Sequence, residues 1–282
     1  MPHTIESILT QDKIALEAAL GLDAGSARIE VQCLLQAVLQ VNRAYLLTHP
    51  EQTLDAEQQA RYVALFERRL RGEPIAYLLG EREFYGLTFR VTPATLIPRA
   101  DTELLVELAL QRIPQRGRVL DLGTGSGAIA LSIAHARPDV EVTAVDASPD
   151  ALEVARENAR RLNIGNVRLL QSDWFSALVG ERFELIVSNP PYIADGDAHL
   201  AQGDLRFEPR DALASGADGL DDIRRIVADA KEHLDAGAWL LFEHGYDQAG
   251  RVRELLAAAG YAEVFSARDL AGIERVSGGR AC

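Results

Sequence analysis

Beyond residue 116 the chain alternates strand and helix patterns, and that alternation constrains its fold more than any other feature. Apolar strand runs fall at 118–122, 141–146, 167–171 and 183–188, with a glycine-rich turn and a helix to about residue 135 after the first and a helix over 149–163 after the second. A helix over about 220–234, a strand over 238–243, a helix ending near Gly260 and two last strands around Val264 and Val276 follow. Strands separated by helical crossovers pair in parallel, so the pattern predicts a doubly wound α/β sheet of seven strands. Such sheets hold their ligands at the carboxyl ends of the strands. No internal repeat is present.

The first 116 residues read differently. Up to about residue 73 apolar residues recur at helical spacing: Ile5, Ile8 and Leu9, then Ile29, Leu34, Leu35, Val38 and Leu39, then Val63, Phe66 and Leu70. This predicts a small helical domain over 1–73, with Asp23 and Ser26 capping its second helix and Gly72 with Pro74 closing its third. Leu87, Phe89 and Val91 then alternate with Thr88, Arg90 and Thr92, and Gly80 and Gly86 punctuate the stretch. A β-hairpin linker is expected over 74–98, Asp101 is expected to cap the next helix, and the sheet domain takes 99–282.

Composition narrows the function classes. The 282 residues are 48% apolar and 25% charged, the balance of a chain that buries a sizeable core. The 42 acidic against 29 basic residues give a formal charge of −13, which repels phosphate backbones and anionic lipid. No nucleic acid or membrane partner is therefore expected. Cys33 and Cys282 make neither a disulfide framework nor a four-thiolate zinc site, and a reducing compartment fits them. Residues 1–20 carry Glu6, Asp12 and Glu17 and do not read as a secretion signal, and no apolar run reaches the length of a membrane span. A cytoplasmic location is expected. His3, His49, His135, His199, His233 and His244 are scattered without metal-site spacing, and no metal is expected.

Two motifs carry chemistry. Gly123, Thr124, Gly125, Ser126 and Gly127 follow the first strand and lead into a helix at Ala128, a turn in which backbone approaches a ligand without Cβ interference. Gly123, Gly125 and Ala128 also satisfy the dinucleotide pattern. Asp121 beside the turn tips the reading toward the cationic S-adenosyl-L-methionine, since a carboxylate there repels a pyrophosphate. Asp146, closing the next strand, is placed to accept both ribose hydroxyls of either cofactor. Asp173 and Trp174, after the third strand, suit an adenine amino group and ring. The second motif is Asn189, Pro190, Pro191 and Tyr192, directly after the fourth strand. Neither proline has an N–H, so nearby carbonyls stay free to accept from a ligand. The Asn189 side-chain oxygen and the Pro190 carbonyl can then grip both N–H groups of a planar amide or amino nitrogen, with Tyr192 as a flat wall. Glu243, His244 and Gly245 end a later strand, and Glu208, Pro209 and Arg210 lie in the loop after Tyr192.

These residues resemble a known family over nearly the whole chain, the bacterial release factor N5-glutamine methyltransferases of the HemK/PrmC type. The resemblance rests on Pro74 to Leu78 with Gly80, Phe84 and Phe89, on Leu96 to Arg99, Asp101 to Glu103, the glycine turn, Asp173 with Trp174, Asn189 to Tyr192, Phe207 to Pro209, and Glu243 to Gly245. Asn-Pro-Pro-Tyr alone is shared with adenine-N6 methyltransferases; the linker segment is far more specific. One departure is Ala100, where the family usually has proline. The resemblance implies a Rossmann-like class I methyltransferase sheet and S-adenosyl-L-methionine as cofactor, with S-adenosyl-L-homocysteine as product. It implies class I peptide chain release factors as protein substrates, the glutamine of their Gly-Gly-Gln loop being methylated in support of translation termination, and a monomer is expected. Asn189, Pro190 and Tyr192 are then catalytic, with Pro191 completing the substrate site. Gly123 to Gly127, Asp146, Asp173, Trp174 and the Asn189 backbone hold the cofactor. An acidic surface and the linker signature speak against a nucleic-acid methyltransferase. The intact Asn189 motif speaks against an inactive binding module, and Asp121 against a dehydrogenase.

Overall fold

The computed structural model describes residues 4–282; His3 lies outside the described residues. The chain forms one unit from residues 4–80 with 201–207, and a second from 81–200 with 208–282.

In the first unit, helices start where short polar side chains satisfy free backbone N–H groups. Thr4 caps α1 (Ile5–Leu20) and Asp23 caps α2 (Ala24–Leu39), accepting from Gly25 and Ser26. Ser26 lies inside the helix and donates its hydroxyl to Asp23 instead of capping. Asn42 caps α3 (Arg43–Thr48), a helix too short to leave a periodic signal in the sequence. Asp55 and Gln58 form a reciprocal capping box on α4 (Ala56–Leu70). The core holds Ile5, Ile8, Leu16, Val31, Leu34, Leu35, Val38, Leu46 and Tyr62. Ile29 and Val63, expected on inward faces, are 54% and 39% exposed. The inward rows run instead through Ala27, Val31, Leu34 and Leu35 on α2, and through Tyr62 and Arg69 on α4. Arg69 is buried and doubly bonded to Glu30, at 2.6 and 3.0 Å, and also pairs with Asp204 at 3.5 Å.

The linker differs from its expected form at its start, because Pro74 opens a helical turn, α5 (Ile75–Leu79), which Gly80 ends. The hairpin proper is β1 (Glu81–Phe84) and β2 (Leu87–Arg90). Tyr85 and Gly86 between them both take positive φ, 50° and 75°, the geometry that lets a two-residue turn follow the strand twist. Phe84 and Phe89 bury edge to face against the second unit's core.

That unit continues with α6 (Glu103–Leu110), β3 (Arg118–Leu122), α7 (Ala128–Ala136), β4 (Glu141–Asp146), α8 (Pro149–Arg161), β5 (Val167–Gln171) and β6 (Phe183–Ser188). It ends with α9 (Asp221–Asp229), β7 (Leu234–Glu243), α10 (Ala249–Ala258), β8 (Ala262–Arg268) and β9 (Glu274–Arg280). Asp101 does not cap α6; it lies in a 3-10 turn ahead of it and pairs with Arg275 at 3.7 Å. The helix expected over about 220–234 is α-helical to Asp229 and continues as a 3-10 turn over Ala230–His233, and β7 begins at Leu234, four residues earlier than expected. Asp235 and Gly237 interrupt the apolar pattern that would have marked that start.

The sheet has seven strands in the order β5-β4-β3-β6-β7-β9-β8, and β9 alone runs antiparallel. Alternate residues of the central strands face opposite layers. Val119, Leu185, Val187 and Leu241 pack toward α6, α7 and the hairpin, whereas Leu120, Ile186, Leu240 and Phe242 pack toward α9 and α10. β3 and β6 run parallel, but the strands are added outward in opposite directions on either side of them, so their carboxyl ends flank the switch point where such sheets open a crevice.

Candidate active site

The turn after β3 is shaped by backbone conformation. Gly123, Gly125 and Gly127 have φ of 69°, 56° and 84°, a region that L side chains rarely adopt. A Cβ on Gly127 would also stand 2.9 Å from Leu131 Cδ1, so this glycine lets α7 close on its neighbours. Around a Cβ on Gly125 there is only open space. Asp146, at the end of β4, accepts from the Gly125 N–H with one oxygen at 2.8 Å and from the Ser148 N–H with the other at 2.9 Å. It thus ties the turn to the start of α8 while keeping lone pairs for a ligand, and burial raises its carboxyl above the usual range. Asp121 is fully buried beneath the turn, where Thr124 donates to it at 2.6 Å, and is not on the wall of the cavity. Burial pushes its carboxyl up to about 7.

The turn after β6 is held from a distance. The Asn189 side-chain amide donates to Thr102 Oγ1 at 3.3 Å, and the Tyr192 and Ile193 N–H groups donate to the Leu213 carbonyl at 3.2 and 2.9 Å. Tyr192 packs against the α9–α10 side of the core, and its hydroxyl donates to Glu243 Oε1 at 3.0 Å. Burial and the nearby Glu243 charge raise that phenol above its ordinary value.

Between the two turns lies a cavity of about 470 Å³, inside the range of small-molecule sites. It brings together Gly123, Thr124, Gly125, Ser126, Asp146, Asp173, Trp174, Asn189 and Pro191. Gly127, Pro190 and Tyr192 are not on its wall. Gly127 faces Leu131 and Ala155, Pro190 is buried, and the Tyr192 ring belongs to the core, so the expected flat wall is not formed by Tyr192 here. Trp174, itself at positive φ, lies over Gly123. The Asp173 carboxylate is paired bidentately with Arg225, at 2.8 and 2.9 Å. Sequence reasoning missed the rest of the wall, which comes from Thr95, Leu96, Pro98, Arg99 and Thr102 on one side and Pro209, Asp211, Ala212 and Asp222 on the other. Buried Glu208 links the two, accepting from the Ile97 N–H at 2.9 Å and pairing with Arg99.

Comparison with known proteins places this geometry. The methyltransferase small domain family matches residues 99–218, and the PrmC N-terminal domain family matches residues 14–80. The release factor glutamine methyltransferase of Burkholderia pseudomallei is 57% identical over 267 residues, 92% of each chain. That of Salmonella typhimurium is 51% identical over 259 residues, 92% of this chain and 94% of its own. The chain belongs to the release factor glutamine methyltransferase family. A methyltransferase from Pyrococcus furiosus shares the fold, with a TM-score of 0.54 at 21% identity, over 76% of this chain and 96% of its own.

Other polar groups of this family member lie away from the cavity wall. His244 is fully buried, and burial lowers its pKa. Its Nδ1 donates to the Gly245 carbonyl at 2.9 Å, so in the neutral ring Nε2 accepts from Ser277 Oγ at 2.8 Å. Among the described residues no cluster of His, Cys, Asp and Glu side chains is arranged to hold a metal ion, and no helix is long and apolar enough to cross a membrane.

Proposed function

We propose that this protein transfers a methyl group from S-adenosyl-L-methionine to the side-chain amide nitrogen of the glutamine in the Gly-Gly-Gln motif of peptide chain release factors. The observation that carries the reading is the joint placement of the Asn189 amide and the Asp146 carboxylate on one cavity at the switch point. The cavity suits the cofactor: its wall is bare backbone at Gly125, has an indole at Trp174, and is rich in carboxylates from Asp146, Asp173, Asp211 and Asp222. A positively charged ligand is favoured there over a pyrophosphate.

When bound, the cofactor supplies a methyl group on a positively charged sulfur. Asp146 holds the ribose hydroxyls with its remaining lone pairs, the 123–126 backbone lies along the ligand, and Trp174 covers the adenine. Asn189, on the cavity wall, grips the substrate amide: its side-chain oxygen accepts one N–H, whereas the Pro190 carbonyl expected to take the other is not on that wall. An amide nitrogen is a poor nucleophile because its lone pair is delocalised, so holding it in line supplies much of the rate. Hydrogen-bond acceptors already in place strengthen as positive charge develops on that nitrogen. No strong base is needed before attack; once the methyl group has passed from sulfur to nitrogen, leaving a neutral thioether, the nitrogen would give up its proton to water.

The helical unit docks the intact factor in this reading, since a protein substrate needs about 800 Å² of interface, more than a glutamine pocket offers. The protein works in the cytosol, where Cys33 and Cys282 stay reduced. The test is methyl transfer from labelled cofactor to a purified release factor and to the same factor with alanine at the loop glutamine. Label on the first and none on the second is expected; equal labelling overturns the reading.

A further inference from the structure

The two ends of a side-chain amide have nearly the same shape, yet only one orientation of Asn189 works. Its oxygen must face the substrate N–H and its nitrogen must face away. Something in the protein has to decide between the two.

The neighbour that decides is Glu243. In the β6–β7 register Ser188 pairs with Phe242, so Asn189, the first residue past β6, comes beside Glu243, the last residue of β7. Glu243 is 2% exposed and stands behind the cavity wall, not on it. Its Oε1 accepts from the Tyr192 hydroxyl at 3.0 Å, whereas its Oε2 is buried with no hydrogen-bond partner, and the Thr102 hydroxyl beside the carboxylate favours its charged form and is the donor to turn to that oxygen. An ionised carboxylate only accepts, and a threonine hydroxyl has one proton. Once that proton points at Glu243, the Thr102 oxygen can only accept. The group 3.3 Å from it on Asn189 must therefore be the NH₂, which leaves the Asn189 oxygen turned away from Thr102.

We propose that Glu243 is a positioning residue for methyl transfer: it accepts hydrogen bonds from Tyr192 and Thr102 and so sets the orientation of the Asn189 amide. The proposal rests on the reading that Asn189 grips the substrate amide. Three other groups bear on Glu243. Arg275, on β9, favours its charged form, whereas burial and the Asp101 charge disfavour it. A protonated Glu243 acquires a donor of its own. Donating to Thr102, it frees the threonine proton to turn to Asn189 and draw the amide oxygen away from the substrate.

Glu243→Gln imposes that inverted state at every pH, because its NH₂ donates where the carboxylate accepted. We expect kcat on a release factor to fall about 10²-fold, the cost of misplacing a positioning group, while the dissociation constant for S-adenosyl-L-methionine is unchanged. The wild type should show an acid limb in its kcat profile that the variant lacks on the same substrate. Thr102→Val, which keeps the shape and loses the proton, should reproduce the loss, and Thr102→Ser should recover most of it. Wild-type kcat in Glu243→Gln overturns the proposal, as does an equal loss of cofactor binding and turnover, which would mark a merely structural role. If Glu243→Gln does not fold, the Val and Ser pair at residue 102 decides, and normal turnover in Thr102→Val overturns it. A wild-type protein that methylates no release factor defeats the functional reading itself and this proposal with it, an outcome distinct from any variant result.

Discussion

The two turns that flank the switch point are built on opposite plans. The glycine turn after β3 is closed by its own neighbourhood: Thr124 bonds Asp121 three residues back, and Asp146 on the adjacent strand takes the Gly125 N–H. The turn after β6 is closed from far along the chain, by Thr102, Leu213 and Glu243. One is a backbone cradle that accepts whatever fits it; the other is a polar side chain whose orientation is set by distant partners. Binding and turnover should therefore fail separately.

The largest effect is expected at the second turn. Asn189→Ala removes one positioned hydrogen bond and should lower kcat by ~10²- to 10³-fold with cofactor affinity retained, measured by steady-state kinetics beside calorimetry. A variant that loses affinity and keeps turnover would break the distinction. Asp146→Ala should do the reverse. Losing a charge-assisted contact of roughly 1.5–3 kcal/mol weakens cofactor binding ~10- to 150-fold by calorimetry, and an unchanged dissociation constant would remove Asp146 from the cofactor site.

Legibility in the sequence follows the same division. The glycine turn, Asp146, Asn189 and the strand–helix alternation needed only short stretches of chain and the rule that crossovers place ligands at carboxyl ends. The wall made by 95–102 and 209–222 did not declare itself. Its defining contacts, Asn189 to Thr102 and Glu208 to Ile97, join residues 87 and 111 positions apart. Tyr192 was misread as a wall because an aromatic beside a polar motif looks the same in sequence whether its ring faces a ligand or the core. Asp121 was misplaced likewise: its position beside the turn was legible, but not that the strand's alternation buries it.

A smaller effect tests the helical unit against the sheet unit. Ile29 and Leu47 are large, exposed and distant in sequence from both turns. If this unit docks the protein substrate, Ile29→Asp with Leu47→Asp should raise KM for an intact release factor about 5- to 30-fold, the worth of one or two lost anchor contacts. Methylation of a short Gly-Gly-Gln peptide should not change, and equal loss on both substrates would confine the unit to a structural role.

The smallest effect concerns Asp121. Its carboxyl titrates near 7 when folded and near 4 when unfolded. Over that interval the unfolded chain gives up a proton that the folded chain keeps. Stability from this group is therefore fully present below about pH 4, falls as pH rises through 7, and is level above. Asp121→Asn should flatten that fall in a series of thermal melts; parallel curves for both proteins would contradict the burial argument.

The central claim is that this chain methylates the nitrogen of a glutamine side chain. Fragment mass spectrometry of a release factor incubated with the protein and S-adenosyl-L-methionine tests it most directly. The account predicts a single added methyl group, located on the side-chain amide nitrogen of the Gly-Gly-Gln glutamine. A methyl group on any other residue, or a factor left unmodified while a nucleic acid in the same mixture gains the label, would contradict it.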